Sequence, residues 1–534
     1  MKDSKQYINF LMLIVLILIF NQTYAQIDKS DWINGLPDAC TVITVGKKAS
    51  ADGSVMNSHT DDSHRTRSEI LIEPSKKHQK GDTEPMFKRI STDEYAMPSY
   101  KHIKIGEIPN VSETFGFVNS AYPCMNTKQL SIGESTFGGR PELQSDTGLI
   151  DCQRLAMLML QRCSTARQAI KMAGELVKKY GWNDGGEMLS IADTKEVWHF
   201  EIVGPGKGKK GGVWVAQRVP DDHIAVNANA STIKEIDLNK SDYFMASENV
   251  YSVALENGWW DGSKATFKFC YAYAPESRNS YASRRREWRI LSLAAPSLKL
   301  DPNDKDYPFS VKTDSLFTLQ KMVSIFKDYY EGTPFDMTKN ITSVDKNGKK
   351  TISPFANPFM PYDMYDLFKI NGGWNELGER TIARWYTMYG TILQSRDWLP
   401  DEIGGVVWLA MDNIATSIYV PVYCGVTDLP EPYKTPGRIN GYTMKSAWWA
   451  FNRLGTLTAQ RWGDMRHDVD KVWIPLQKEL FDYQSDIEKQ ALTIKQGPKR
   501  IEFLTGYTMQ WGNKVVDEAW KLGDFLWTKY DEKF

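Results

Sequence analysis

Residues 40–60, CTVITVGKKASADGSVMNSHT, constrain the fold more than any other stretch. Two runs of apolar and β-branched residues flank a turn that closes on Asp52-Gly53, which predicts a strand from Cys40, a tight reversal and a second strand. The folded part therefore opens with a sheet that carries a cysteine at its leading edge. What precedes it is of another kind. Lys2 and Lys5 lead into FLMLIVLILIF, residues 10–20, and TYA, ending at Ala25, offers small residues where a signal peptidase reads. A spanning helix wants about 20 apolar residues, so this shorter run predicts an export leader cut after Ala25. No cysteine follows the cut to take a lipid, so the expected product is periplasmic or secreted, without a membrane anchor, and begins at Gln26.

Further strands are expected at KQLSIGESTF (128–137), EVWHFEIV (196–203) and GVWVAQRV (212–219). GLIDCQRLAMLMLQRC reads as one helix, and STARQAIKMAGELVKKYG as a second, capped by Ser164 or Thr165 and stopped by Gly181. GPGKGKKG, between two of the strands, lacks Walker spacing and reads as a solvated hairpin connection. Strands, then helices, then strands again predict layered sheets with helices outside. Beyond about residue 300 the chain reads as mainly helical and aromatic, its tryptophans in periodic apolar segments that core packing explains.

The 534 residues suffice for one large or two ordinary domains. With 65 basic against 66 acidic residues the net charge is -1, which supplies no field for gathering nucleic acid. Six cysteines could form three disulfides in an exported chain. Cys152 and Cys163 are an exception, since 11 residues of helix separate them by about 16 Å.

A hydrolase of this kind could use a metal, a serine, paired carboxylates or a cysteine. There is no HExxH, and no GxSxG elbow around GES at 133–135. SHTDDSH (58–64) offers His59, Asp61, Asp62 and His64 as possible zinc ligands, but alternation along a strand turns the first two away from the last two, so at most half of the cluster could converge. No metal or organic cofactor is expected. RRREW (284–288) reads as a solvated basic face or structural ion pairs, and His199 as a packed strand histidine.

The remaining candidate, Cys40, lies in a stretch, CTVITVGKKASADGSVMNSHTDDS, that resembles the start of the N-terminal-nucleophile cysteine dipeptidases, the dipeptidase A family that includes the secernins. STFGGR, LSIADTKEVWHFEIVGPG, VWVAQRVPDDHIAVNAN, YEGTPFDMT, LPDEIGGVVWLAMDNIATSIYVPVYCGV and SAWWAFNRL extend the resemblance over nearly the whole chain after the leader. It implies an α+β fold, the αββα four-layer sandwich of N-terminal-nucleophile (Ntn) hydrolases with a helical C-terminal extension. The implied divisions are a leader at 1–25, a propeptide at 26–39, a catalytic core at 40–300, and the rest of the catalytic domain with the helical region at 301–534.

The resemblance also implies that Cys40 attacks the Ala39 carbonyl and releases the propeptide. Its own α-amine, with a pKa of about 7.7–8.0, then sits beside the thiol as base. By resemblance Asp62 orients that amine. The basic position falls on His59, where many relatives carry Arg, and on a regular strand His59 faces away from Asp62. The oxyanion donors are implied to be the Asn229 side chain and a backbone N–H at Thr136. The implied substrates are dipeptides, with homo-oligomerisation left open. An N-acyl amide such as a conjugated bile acid or penicillin is the alternative substrate class, and a catalytically silent secernin-like binding protein the alternative from outside enzymology.

Overall fold

A computed structural model describes residues 38–339, 341–359 and 380–533. The expected leader, 1–25, and residues 26–37 of the expected propeptide lie outside the described residues.

The expected hairpin forms from β1, Ala39–Val45, and β2, Val55–Asp62. At the turn Asp52 Oδ1 accepts from Ser54 N at 3.0 Å and from the Ser50 and Ser54 hydroxyls at 2.6 Å, while Gly53 takes φ +78°, a left-handed conformation that glycine adopts without cost. Both strands lie inside a seven-stranded antiparallel sheet whose order is Ser310–Lys312, His223–Asn227, β1, β2, Thr387–Ser395, Val406–Met411 and Val420–Tyr423. The last three strands come from the section read as mainly helical. All three are buried along their whole length, VVWLAM as an unbroken apolar run, and a strand buried on both faces carries no period that separates it from a helix.

A second, eight-stranded sheet runs Phe244–Ala246, Val213–Arg218, Val197–Val203, Gly186–Ala192, Ser131–Gly138, Met125–Asn126, Phe117–Asn119 and Leu71–Glu73. GPGKGKKG joins two of these strands as an antiparallel connection. The two sheets lie face to face: β1 and β2 both pack on Ser131–Gly138. Helices Cys152–Arg162 and Ala166–Tyr180 cover the second sheet, the latter capped by Thr165 and ended by Gly181. Tyr281–Ala294, Ala447–Gln460 and Pro498–Lys529 cover the first. All six cysteines are free and buried. Among the described residues no helix is long and apolar enough to cross a membrane.

The sheets approach closely at Gly133. A Cβ there would lie 2.3 Å from the Ser58 carbonyl oxygen and 2.6 Å from Ser190 Oγ. Backbone cannot yield as a flexible side chain can, so Gly133→Ala is expected to cost about 3 kcal/mol, the upper end of overpacking, read as a lowered urea midpoint at unchanged slope.

Candidate active site

Cys40 is the second residue of β1, and alternation along the strand sends its side chain toward the second sheet together with Val42 and Thr44. There Sγ donates to Glu134 Oε2 at 3.1 Å, and Thr44 Oγ1 meets His199 Nε2 at 3.0 Å. His199 is a core residue, its ring pressed down to a pKa of about 3 by burial, as the reading of a packed strand histidine expects.

The backbone of Cys40 is held on both sides. Its N–H donates to Asn229 Oδ1 at 3.0 Å, and its carbonyl accepts from Arg286 Nη1 at 2.6 Å. Asn229 is bent into place just past the strand His223–Asn227 at φ +63°, a left-handed position that asparagine tolerates better than most residues. Its N–H donates to Ser135 Oγ at 3.0 Å, and its Nδ2 to the Thr136 carbonyl at 2.8 Å. One amide thus ties the Cys40 nitrogen to the end of the Ser131–Gly138 strand.

Of the two readings of RRREW the solvated face is corrected, while structural ion pairing holds for Glu287, which pairs with Arg278 at 2.9 Å. Arg284, Arg285 and Arg286 are all buried, because helix Tyr281–Ala294 lies against the first sheet and sweeps consecutive residues through its packed faces. Arg286 also donates to Thr41 Oγ1 at 3.0 Å, and to the Ala228 carbonyl and Asn229 Oδ1, both at 2.9 Å. Burial, then the charge of Arg380, lower its pKa to about 9, which leaves it a cation at neutral pH.

Glu134 is the second residue that the sequence did not announce. Burial alone would raise its carboxyl, but the neighbouring His59 and Glu187 side chains bring it down to about 2. Glu187, subject to burial and then to the Glu134 charge, is held well above the carboxylate range. Of the pair, Glu134 therefore favours the negative charge and Glu187 the proton. Thr136 Oγ1 stands between them, 2.9 Å from Glu134 Oε1 and 3.1 Å from Glu187 Oε1. Burial, then the Glu134 charge, raise the Cys40 pKa well above the ordinary thiol value. In the intact chain the sulfur is a protonated thiol that donates to Glu134.

His59 lies on the face of β2 that Cys40 shares, its Nε2 3.4 Å from Glu134 Oε2 and its ring edge-on to Tyr122 and Tyr389. Asp61, across from Cys40 in the β1–β2 register, is buried, and burial pushes its carboxyl well above the usual range. Asp62 points the other way. Opposite Ala39 in the register, it accepts from Arg380 Nη2 at 2.5 Å and from Thr387 Oγ1 at 2.6 Å. The structure thus gathers Cys40, His59, Asn229 and Thr136 and leaves the Asp62 carboxylate behind the sheet. The Cys40 N–H, still an amide, goes to Asn229.

SHTDDSH does not converge on a metal, since His64 stacks on Tyr386 with ring centroids 4.2 Å apart. Two other groups have suitable donors: Cys40, His59 and Glu134, and Glu134, Cys152 and Glu187, each with ligand atoms within 4.8 Å of one another. In both, a cation would have to displace the proton that the Cys40 thiol donates to Glu134, or the one that Glu187 favours. What the arrangement can do chemically is hold a thiol, a charged carboxylate and a fixed backbone nitrogen around one peptide bond.

The chain is similar to known peptidases. The model of peptidase family C69 matches residues 39–474. A probable dipeptidase of Latilactobacillus sakei is 26% identical over 88% of this chain and 90% of its own length. Dipeptidase A of Lactobacillus helveticus is 24% identical over 91% and 94%, and a probable dipeptidase of Salmonella dublin 27% identical over 73% and 81%.

Proposed function

The chain belongs to peptidase family C69, and on that premise we propose that it is an exported cysteine dipeptidase whose nucleophile, Cys40, becomes the N-terminal residue by self-cleavage after Ala39. The observation that carries the reading is the setting of the Ala39–Cys40 bond. The nitrogen to be freed is fixed by Asn229, the carbonyl beyond it by Arg286, and the thiol points to a charged carboxylate. Two facing antiparallel sheets with helices outside each support the αββα sandwich of the Ntn hydrolases.

Self-cleavage proceeds by attack of Cys40 Sγ on the Ala39 carbonyl carbon, with the thiol proton passing to Glu134. The C–N bond breaks as a proton returns to the Cys40 nitrogen, leaving Ala39 as a thioester on sulfur. Water hydrolyses the thioester and restores the thiol beside a free α-amine. From then on the amine, ordinarily with a pKa of about 7.7–8.0, is the base nearest the sulfur. Asn229 Oδ1, already on that nitrogen, orients it. A dipeptide carbonyl acylates the sulfur, the terminal ammonium protonates the leaving amine, and the amine then deprotonates the water that hydrolyses the thioester. The family resemblance gives the oxyanion to Asn229 Nδ2 and the Thr136 N–H. Nδ2 now serves the Thr136 carbonyl, so this role requires it to exchange one acceptor for another.

A panel assay tests the substrate class. Dipeptides with free termini are expected to be hydrolysed at least 100-fold faster, in kcat/KM, than conjugated bile acids or penicillins. The reverse order would make the protein an N-acyl amide hydrolase with the same nucleophile, and turnover of neither class would support the silent binding protein.

A further inference from the structure

The residue before Ala39 is held by a built cradle. Asp38 Oδ1 accepts from Ser63 Oγ at 2.9 Å and from Arg65 Nη1 at 3.2 Å, and Oδ2 accepts from the Tyr100 hydroxyl. Ser63 and Arg65 follow directly on β2, so the cradle is fixed to the strand that pairs with Cys40. It borders a cavity of about 410 Å³, within the range of small-molecule sites, lined by Arg65, Arg67, Arg154, Arg438, Tyr100 and Glu69 among others. Four arginines and one carboxylate, Glu69, are among the residues that line it. His102, also in the lining, registers the imbalance: burial, then Arg154, Arg89 and Arg67, lower its pKa to about 4. A cavity so charged calls for an anion, and in the intact chain Asp38 is the anion at its edge.

We propose that Asp38 is a placeholder: its carboxylate occupies the subsite, formed by Ser63, Arg65 and Tyr100, that takes the C-terminal carboxylate of a dipeptide once residues up to Ala39 have left. This rests on the self-cleavage reading. Proton transfer fixes the direction in which substrate lies. The leaving amine must approach the Cys40 nitrogen to receive its proton, and the space beyond that nitrogen is the space that Ala39 and Asp38 vacate. The carboxylate, two bonds past the leaving nitrogen, then extends toward the cradle. Before cleavage the same contacts make the propeptide an internal inhibitor. A tripeptide, one residue or about 3.5 Å longer, would carry its carboxylate past the cradle, which accounts for a preference for dipeptides.

The test compares Ala-Ala with its C-terminal amide, using protein verified by intact mass to begin at Cys40. Wild type is expected to favour the free acid about 100-fold in kcat/KM. In Arg65→Gln, and separately in Tyr100→Phe, that ratio falls at least about 10-fold, chiefly through KM for the acid. A wild-type ratio near one overturns the proposal without any variant. So does a ratio unchanged in a correctly processed variant, since a structural role would slow both substrates alike. A wild-type protein that is never cut after Ala39 defeats the self-cleavage reading instead.

Discussion

Cys40→Ala is expected to accumulate as a chain that still carries the segment ahead of residue 40, and to hydrolyse no dipeptide. In the proposed mechanism the sulfur serves twice, first on the Ala39 carbonyl and then on substrate, so one substitution removes both reactions. Loss of a nucleophile from a catalytic unit costs on the order of 10⁶ in kcat, enough to take turnover to background. The fold should survive. Cys40 contributes one buried thiol and one side-chain hydrogen bond, and the anchoring bonds to Asn229 and Arg286 are made by its backbone, which alanine retains. Intact mass, a dipeptide assay and a thermal melt on the same sample separate these effects. A Cys40→Ala protein that melts like wild type yet hydrolyses dipeptides would exclude the mechanism.

Glu134→Gln is the second large effect, and it falls on processing more than on turnover. Before cleavage the α-nitrogen is an amide and cannot act as base, so the proposed acceptor for the thiol proton is Glu134, 3.1 Å from the sulfur. Loss of a general base is worth roughly 10²–10⁴ in rate. A second consequence opposes it. Removing the negative charge lets the thiol pKa fall, which increases the thiolate fraction while reducing its nucleophilicity, a net gain smaller than the thiolate fraction suggests. The base term wins, and self-cleavage should slow by about 100-fold, followed as the mass shift over time. Protein made to begin at Cys40 by an engineered upstream protease site already has its amine, and Glu134→Gln should slow its dipeptide turnover far less. Equal slowing of both steps would make Glu134 a structural residue, and processing at the wild-type rate would remove it from the mechanism.

The opening hairpin was legible because every level agreed there: two β-rich runs, Asp52-Gly53 at the reversal, and alternation that separates His59 from Asp62. The helix Ala166–Tyr180 was legible for the same reason, with Thr165 and Gly181 marking its ends. The strands of residues 387–423 were not, since strands buried on both faces lose the period of two. Glu134 and Arg286 escaped because their surroundings are tertiary. GES falls short of a serine motif, yet a glutamate within the strand-like run LSIGESTF is a charge bound for a packed sheet, and such a charge must have partners. RRREW carried a similar sign, since three successive arginines on a helix point some 100° apart and cannot all reach solvent once one face is packed. The Asp38 cradle had no sequence signal at all, because Ser63, Arg65 and Tyr100 meet only through the fold.

The central claim is that the working enzyme starts at Cys40, and the intact mass of active protein purified from cells measures it directly. The expected mass is that of residues 40–534, with a free α-amine on cysteine found by N-terminal sequencing. Dipeptidase activity residing in a chain that still begins at Gln26, or at any residue ahead of Cys40, would contradict it.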